Sequence, residues 1–568
     1  MIELVSNIGQ VVRKTEGDKD LIDLWQKNEA DDYEFTLIVN ISNQKIDLDL
    51  KAFEKKIFKD GLFYQQGNWS IGSIIKINKF KDTKENKKKI VTKILRALDF
   101  LDISGDAIIN EINNSVFSKV SEYENKSFVI LFTKDSDLPI NSLKYKFVEA
   151  IEDKGLKKTD YSGTCQICGT QSNGLYNSIV YKCFTNDKEI YSNTDSSPSH
   201  GICRECIYDI LHGKSHVDKY LKTWWSGSEV LFLPHKYNAD IKKIYEEYSI
   251  NESNSTTLLS KIRENETDVL YEIGDCGALV DILFINDNKS NSEWKITYHI
   301  RNVIPSRFNK ISNLEYKYKS KKGTPLTFYL IINYLLNGKI KKKEMFKTGE
   351  AKSFLKDIFY GNKLNRNLFF YRAMQKYRLQ YFEDENNGRM PSLIMIHRIY
   401  NFLVDCGCLE NGWNLVVENE DGDYSMSEYE SIDDFFAKNS DFFSSDTKKA
   451  WFLLGRLYSN MIYESKKYKG GENNNNVESY LEKNFFFGRK YDFTTFVYLS
   501  NQCSELMHKY GVQNKIHLKN LASDTKGLMG SGLEKLSSDE AKYIFFWGMQ
   551  QWIANPKDAD KIAEGDEE

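Results

Sequence analysis

Four cysteines in two pairs carry the strongest chemical signal in the chain. TCQICGT (164–170) puts Cys165 and Cys168 three positions apart, and GICRECIYD (201–209) repeats that spacing with Cys203 and Cys206. The stretch between the pairs is 34 residues long. Each C-x2-C can wrap its sulfurs round one ion through a tight turn, and two such turns complete a tetrahedron. Zn²⁺ suits four thiolates because it has no redox chemistry and accepts tetrahedral sulfur readily. Gly169 follows the first pair and Gly201 precedes the second, where a permissive backbone helps such turns. Four protein ligands leave no position for water, so the expected ion is structural. Two other readings stay open: four buried thiols, or a site in which His200 or Cys183 replaces one ligand. The long spacer is expected to fold as a loop of its own, pinned to the surrounding domain by the thiolates.

The remaining chemical signals are weaker. His212 and His216 stand at i, i+4, but the sequence identifies no carboxylate to complete a second metal site, so a surface helix carrying two histidines is expected. HGKS (212–215) resembles the end of a phosphate-binding loop, yet the position that needs glycine holds Tyr208. There is no H-E-x-x-H, no G-x-S-x-G and no adjacent His-Asp pair; GALVD (277–281) lacks the glycines of a dinucleotide fold, and DGDYS (421–425) reads as a solvated turn. The chain is therefore expected not to be an enzyme.

At 568 residues, with 41% hydrophobic and 28% charged residues, the composition is that of a soluble protein of several domains. No window is apolar enough to span a membrane, and MIELVSNIGQVVRK has no basic region before an apolar stretch, so no secretory signal is expected. Nine cysteines, an odd and low number, suit reduced thiols in a cytoplasm better than a disulfide framework. The net charge of −3 is unevenly spread: from residue 401 onward 28 acidic residues face 18 basic ones. Any contact with a polyanion is accordingly expected in the front of the chain.

The elements that must position these residues fall into a front and a rear. YEFTLIVNI (33–41) and SFVILFTK (127–134) have the aromatic and β-branched runs of buried strands. KKKIVTKILRALDFL (87–101) places Ile90, Ile94, Leu98 and Leu101 at helical spacing. ALVDILFI (278–285) and EWKITYHI (293–300) read as a hairpin. From about residue 325 the pattern becomes helical, as in AWFLLGRLYSNMIYES (450–465). The expected class is α+β: a mixed front with an inserted four-cysteine, zinc-finger-like module, then an all-α bundle. The expected segments are 1–160 (α+β), 161–216 (zinc insert), 217–330 (continuation of α+β), 331–390 (basic connecting helices) and 391–568 (helical bundle). KYKSKK (317–322) supplies Lys317, Lys319, Lys321 and Lys322, and KIKKKEMFK (339–347) supplies Lys339, Lys341, Lys342 and Lys343. Together they are candidates for a surface that neutralises phosphates without reading sequence. In QQGNWSIGS (65–73), Gln65, Gln66 and Asn68 could read base edges and Trp69 could wedge against a base, although a turn with Trp69 packed inward is the simpler expectation.

These pieces resemble the large subunit of the type I-B CRISPR interference complex, Cascade. The resemblance rests on the order of front, C-x2-C…C-x2-C insert and helical rear, and on HIRNVIPSRFNKI (299–311), similar to that family's strand ending in a Pro-Ser-Arg turn. It rests also on KAWFLLGRLYSNM (449–461), FTTFVYLSNQCSELMHKYG (493–511) and LSSDEAKYIFFWGMQQW (536–552). The resemblance implies a non-catalytic subunit that contacts the protospacer-adjacent motif in duplex DNA, helps unwind it and holds the R-loop. It also implies crRNA, target double-stranded DNA, repeat-binding backbone, crRNA 5′-end-binding and small subunits, and a separate helicase-nuclease as partners. The rear resembles the family's small-subunit bundle, for which Met374, Met390 or Met395 would be internal start sites. Two alternatives remain: a zinc-ribbon nucleic-acid-processing enzyme, and a zinc-containing protein-interaction scaffold.

Overall fold

The structure, a computed structural model, describes residues 1–25, 33–42, 45–66, 69–156, 158–177, 201–246, 258–263, 265–288, 293–320, 323–336, 342–383, 391–412, 429–468, 488–529, 535–551 and 553. The chain forms two compact units. One comprises 1–223, 229–259 and 278–301; the other comprises 224–228, 260–277 and 302–568. Residues 331–390 share the second unit with the helices that follow them.

The first unit opens with helix α1 (Ile2–Glu16), whose Val5, Ile8 and Val12 form a buried stripe at helical spacing. Its four-stranded sheet contains β1 (Phe35–Ser42), β2 (Lys45–Ala52), β5 (Ile74–Ile77) and β6 (Phe128–Lys134), in the order β2-β1-β6-β5. β6 reads FVILFTK and is buried on both faces, as a central strand must be. β2 alternates charged and apolar residues, which suits an edge. The parallel β1–β6 pair sets Leu37 against Ile130, and the antiparallel β5–β6 pair sets Ile74 against Leu131. A short hairpin of β3 (Tyr64–Gln66) and β4 (Trp69–Ile71) precedes β5. Gly72 closes it at φ +112, where a Cβ would lie 1.8 Å from the Leu62 carbonyl oxygen, so no side chain fits. Helices α2 (Lys84–Phe100) and α3 (Asp106–Ser121) follow. The α2 positions Ile90, Ile94 and Leu98 are buried, with Leu101 at its C-cap, so the sequence periodicity holds.

Two small ribbons build the cysteine module: β7 (Gly163–Thr164) with β8 (Gln171–Ser172), and β9 (Tyr176–Asn177) with β10 (Gly201–Ile202). Helix α4 (Arg204–His216) leads out of it and packs on α1. A Cβ on Gly9 would sit 1.7 Å from the Asp209 carbonyl oxygen, and one on Gly213 would sit 1.9 Å from that of Val5. The two helices thus touch backbone to backbone, and Arg13 Nη1 donates to Asp209 at 2.7 Å beside the crossing. The second sheet has the order β11 (Lys222–Trp225), β12 (Ser228–Pro234), β13 (Val280–Asn288), β14 (Glu293–Val303). Val230 to Leu233 and Ile282 to Phe284 are wholly buried. Helix α5 (Ala239–Glu246) lies between β12 and β13 in sequence.

The second unit is helical. α6 (Glu266–Asp275) packs on α7 (Pro305–Lys317). Pro305 occupies the first turn of α7, so Pro-Ser-Arg opens a helix, as the fixed proline φ favours, where the sequence suggested a turn closing a strand. α8 (Phe328–Leu335), α9 (Gly349–Tyr360), α10 (Arg366–Glu383) and α11 (Ile394–Asp405) lead to α12 (Asp446–Tyr468), α13 (Phe493–Lys509), α14 (Ile516–Met529) and α15 (Ser538–Gln550). α12 is central and packs on the last three helices. At its crossing with α15, a Cβ on Gly455 would lie 2.0 Å from the Phe545 carbonyl oxygen, and one on Gly548 would lie 2.0 Å from that of Phe452. Phe435 stacks on Phe452 at 4.4 Å and meets Trp547 edge-on at 5.5 Å beside this contact.

Candidate metal centre and nucleic-acid surfaces

The module is built so that four sulfurs converge. The β7–β8 ribbon clamps the first C-x2-C: the Cys165 amide donates to the Thr170 carbonyl at 2.8 Å, and the Gly169 amide donates to the Cys165 carbonyl at 3.0 Å. Gly169 has φ +71, a left-handed turn that glycine adopts without strain. The second pair lies where β10 becomes α4: Cys203 caps the helix and Cys206 stands in its first turn. The Gln166 amide bonds the Gly201 carbonyl at 3.0 Å, which ties the knuckle to β10.

One sulfur from each of Cys165, Cys168, Cys203 and Cys206 lies within 4.8 Å of the other three. Cys168 Sγ and Cys203 Sγ are 3.7 Å apart. A tetrahedral zinc with Zn–S bonds of about 2.3 Å separates its sulfurs by about 3.8 Å. The cluster is therefore compatible with a zinc ion, with all four donors soft and none left for a different geometry. Backbone amides point at the sulfurs as well: those of Cys203 and Ile167 donate to Cys165 Sγ at 3.3 and 3.5 Å. Thr170, which carried no signal in the sequence reading, places its hydroxyl 2.9 Å from Cys168 Sγ. That bond first, and the Thr170 amide second, pull the exposed Cys168 thiol down to about 6. Burial pushes the thiols of Cys203 and Cys206 up. One thiolate is thus favoured by its surroundings, whereas the two buried thiols are favoured as thiolates only with a cation among them. His200 and Cys183 lie outside the described residues.

His212 and His216 depart from expectation. They are 1% and 4% exposed, because α4 turns this face inward against α1 and its neighbours. His216 Nε2 is 2.6 Å from Tyr237 Oη, and Nδ1 is 3.6 Å from Glu246. Glu16, His216 and Glu246 approach one another within 4.8 Å. Lys242 Nζ, however, bonds Glu16 at 3.0 Å and Glu246 at 2.9 Å, so an ammonium already supplies the positive charge there. Burial, then the Lys242 charge, pushes His216 down to about 4. The fold favours the neutral ring. That contribution is complete above the unfolded value of about 6.5 and is lost as pH falls towards 4, a change of up to about 3 kcal/mol. We expect urea unfolding at pH 7.0, 5.5 and 4.5 to show a steeper loss for the wild type than for His216→Gln. Parallel pH profiles would remove this assignment.

The other candidates are scattered. Lys317 Nζ pairs with Asp405 at 2.6 Å, and Lys319 is partly exposed on the turn after α7. Lys321, Lys322, Lys339 and Lys341 lie outside the described residues, and for Lys342 and Lys343 only the backbone is described, within a 3-10 turn over Lys342–Lys347. Met345 and Phe346 in that turn are buried, and the Phe346 amide donates to the Ser226 carbonyl at 2.8 Å. The segment is thus anchored by its two apolar residues. Gln65, Gln66 and Trp69 lie on the β3–β4 hairpin, where Gln66 pairs with Trp69 and Gln65 with Ser70 in backbone register. Their side chains, and Asn68 entirely, lie outside what is described.

Fold and cluster together define a two-unit α+β protein with a four-thiol module in its first unit and a helical second unit. Two family models match it: the central domain of CRISPR-associated protein TM1802 over residues 162–303, and the C-terminal domain of the same family over residues 326–553. Together they cover about two thirds of the chain. The chain belongs to the CRISPR-associated protein TM1802 family, in agreement with the resemblance to a type I-B Cascade large subunit. The central-domain match begins just ahead of Cys165 and ends at the last residue of β14. No curated protein matches the chain. Among the described residues, no helix is long and apolar enough to cross a membrane.

Proposed function

We propose that this protein is the non-catalytic large subunit of a crRNA-guided type I-B interference complex, acting in the cytoplasm. In this reading it touches the protospacer-adjacent motif in duplex DNA, helps to open the duplex and stabilises the R-loop, and a separate helicase-nuclease is recruited to cut. Sequence is checked by guide–target pairing, so the subunit needs to grip nucleic acid and requires no bond-making groups. The family match over both units is the observation that carries the reading. Cys165, Cys168, Cys203 and Cys206 hold a structural zinc that stiffens the platform. The β3–β4 hairpin, with Gln65, Gln66, Asn68 and Trp69, is the base-reading element. Lys317, Lys319, Lys321, Lys322, Lys339, Lys341, Lys342 and Lys343 track phosphates. The rear of the chain, 391–568, serves as a small-subunit-like bundle.

The test is co-expression with a CRISPR array and the neighbouring genes, followed by purification through a tag on this chain. We expect crRNA and repeat-binding subunits to copurify. We also expect target duplex to bind only with a matching guide, and to stay uncut until a helicase-nuclease is added. Metal-dependent cleavage by the isolated chain, abolished by one carboxylate substitution, would replace this reading with that of a nucleic-acid-processing enzyme.

A further inference from the structure

Helix α10 is apolar on two sides. Its inward side carries Phe369, Phe370, Ala373, Met374 and Tyr377, all buried, and packs on α15 and α8. The rings of Phe370 and Tyr543 lie 5.1 Å apart, as do those of Tyr377 and Phe546, and Gln550 Nε2 donates to Tyr377 Oη at 2.8 Å. The helix is thus held as a rigid platform. Its outward side repeats with the same period. Leu368, Tyr371, Gln375, Arg378 and Leu379 fall at i, i+3, i+7, i+10 and i+11, a stripe along about 16 Å of helix. Leu368, Tyr371 and Leu379 are 44%, 50% and 42% exposed. Among the described residues, the side chains of Tyr371, Gln375 and Lys376 make no hydrogen bond, ion pair or ring contact, and Arg378 has the ring of Phe382 alone, 5.8 Å from its guanidinium carbon. The helix carries Arg366, Arg372, Lys376 and Arg378 against one acid, Glu383. Arg366 pairs with Glu540 and Arg372 with Glu350, which leaves Lys376 and Arg378 for an outside anion.

An amide and a guanidinium occupy the middle of the stripe. An apolar partner helix packed there would bury both unsatisfied, at high cost. Duplex DNA keeps its base faces stacked on one another and offers none to Tyr371. Unpaired nucleotides bring flat faces for a ring, hydrogen-bonding edges for an amide and phosphates for the cations. We propose that the outward stripe of α10, centred on Tyr371 and Arg378, binds single-stranded DNA by base stacking and phosphate contact. The site rests on the reading of this chain as a subunit that holds an R-loop, and it deepens that reading by naming where the displaced strand lies. No sequence motif announces it: Phe369, Phe370 and Tyr371 stand side by side, and packing alone turns the first two inward and the third outward.

The test is fluorescence anisotropy of the full-length chain with a fluorescein-labelled oligo(dT), which forms no duplex, over a series of salt concentrations. Tyr371→Ala is expected to weaken binding about tenfold at every salt concentration, since stacking carries no charge. Arg378→Gln is expected to weaken it at low salt and to lower the slope of log Kd against log salt by about 0.7. Tyr371→Phe, which keeps the ring, should stay within about twofold of wild type. Tyr145→Ala, which removes a tyrosine of the first unit that is 91% exposed, should do the same. If Tyr371→Ala fails to fold, Arg378→Gln alone carries the test. A wild type that binds oligo(dT) while the folded variants bind equally well overturns the site and leaves the proposed function standing. A wild type that binds no oligo(dT), but forms an R-loop in the assembled complex whose displaced thymines react with permanganate as they do with the variants, also overturns the site alone. Absence of any R-loop in the assembled complex overturns both readings. Oligo(U) bound more tightly than oligo(dT), and equally weakened by the variants, would assign the stripe to RNA and overturn the DNA assignment. Variants that bind oligo(dT) normally but lose a copurifying subunit would mark a protein interface and overturn it too.

Discussion

Cys165→Ser is expected to release about one equivalent of zinc and to unfold the module between β7 and α4. Cys165 is 1% exposed, and its sulfur accepts from two amides, one of them at the first residue of the second C-x2-C. A serine oxygen there is harder and shorter-reaching than a thiolate, so the tetrahedron loses a ligand and the amides lose their acceptor. The apparent free energy of zinc in four-ligand peptides is on the order of 10 kcal/mol, and it is folding free energy when the site does not exist in the unfolded chain. Among the described residues, the ribbons of the module are two residues long on each side, so the ion is expected to carry much of its stability. Elemental analysis of protein purified without chelator should find one zinc in the wild type and about none in the variant. Limited proteolysis should cut the variant rapidly between residues 164 and 206. Cys168→Ser, at the exposed ligand, should weaken zinc binding with less loss of structure. A well-folded wild type without zinc, or a variant that keeps it, would refute the assignment.

The second large effect concerns a place with no chemistry at all. Gly548→Ala and Gly455→Ala are each expected to cost about 3 kcal/mol, and Gly548→Val more than about 4 kcal/mol. The added Cβ would lie 2.0 Å from a backbone carbonyl oxygen of the facing helix, so α12 and α15 must separate by more than an ångström. Separation loosens the ring cluster of Phe435, Phe443, Phe452 and Trp547 and strains the bonds from Arg456 to the carbonyls of Gln551 and Ile553, at 3.1 and 2.7 Å. Gly527→Ala provides the contrast: it lies in α14 with no atom within 4 Å of the added methyl, and it should stabilise by up to about 1 kcal/mol. Urea unfolding of the four proteins beside wild type measures this. Equal stability of Gly548→Ala and wild type would show that the crossing does not hold this geometry in solution.

Much of the local structure was legible from pattern. The 3.6-residue spacing of Ile90, Ile94 and Leu98 gave a helix because only that period buries all three on one side, and the apolar run 128–133 gave a central strand. The four cysteines were legible for a different reason: a metal knuckle is a local turn, and its spacing is written in adjacent residues. LGRL (454–457) and WGM (547–549) were read as family marks, and the structure adds why they have those residues, since Gly455 and Gly548 face each other across a helix crossing. The histidines of α4 misled because i, i+4 spacing describes a face and does not say whether that face meets water. What lies opposite is α1, about 200 residues earlier in the chain.

The sequence alone therefore determined the class, the cysteine module and the periodic cores, each set by neighbours within a turn or a strand. Tertiary structure decided which faces are buried, that Lys317 is held by Asp405 and that Lys93 donates to the Lys76 carbonyl. These depend on residues far apart in the chain. Burial, charge pairing and backbone contact are properties of distance in space, and short-range spacing does not encode distance between elements that only folding brings together.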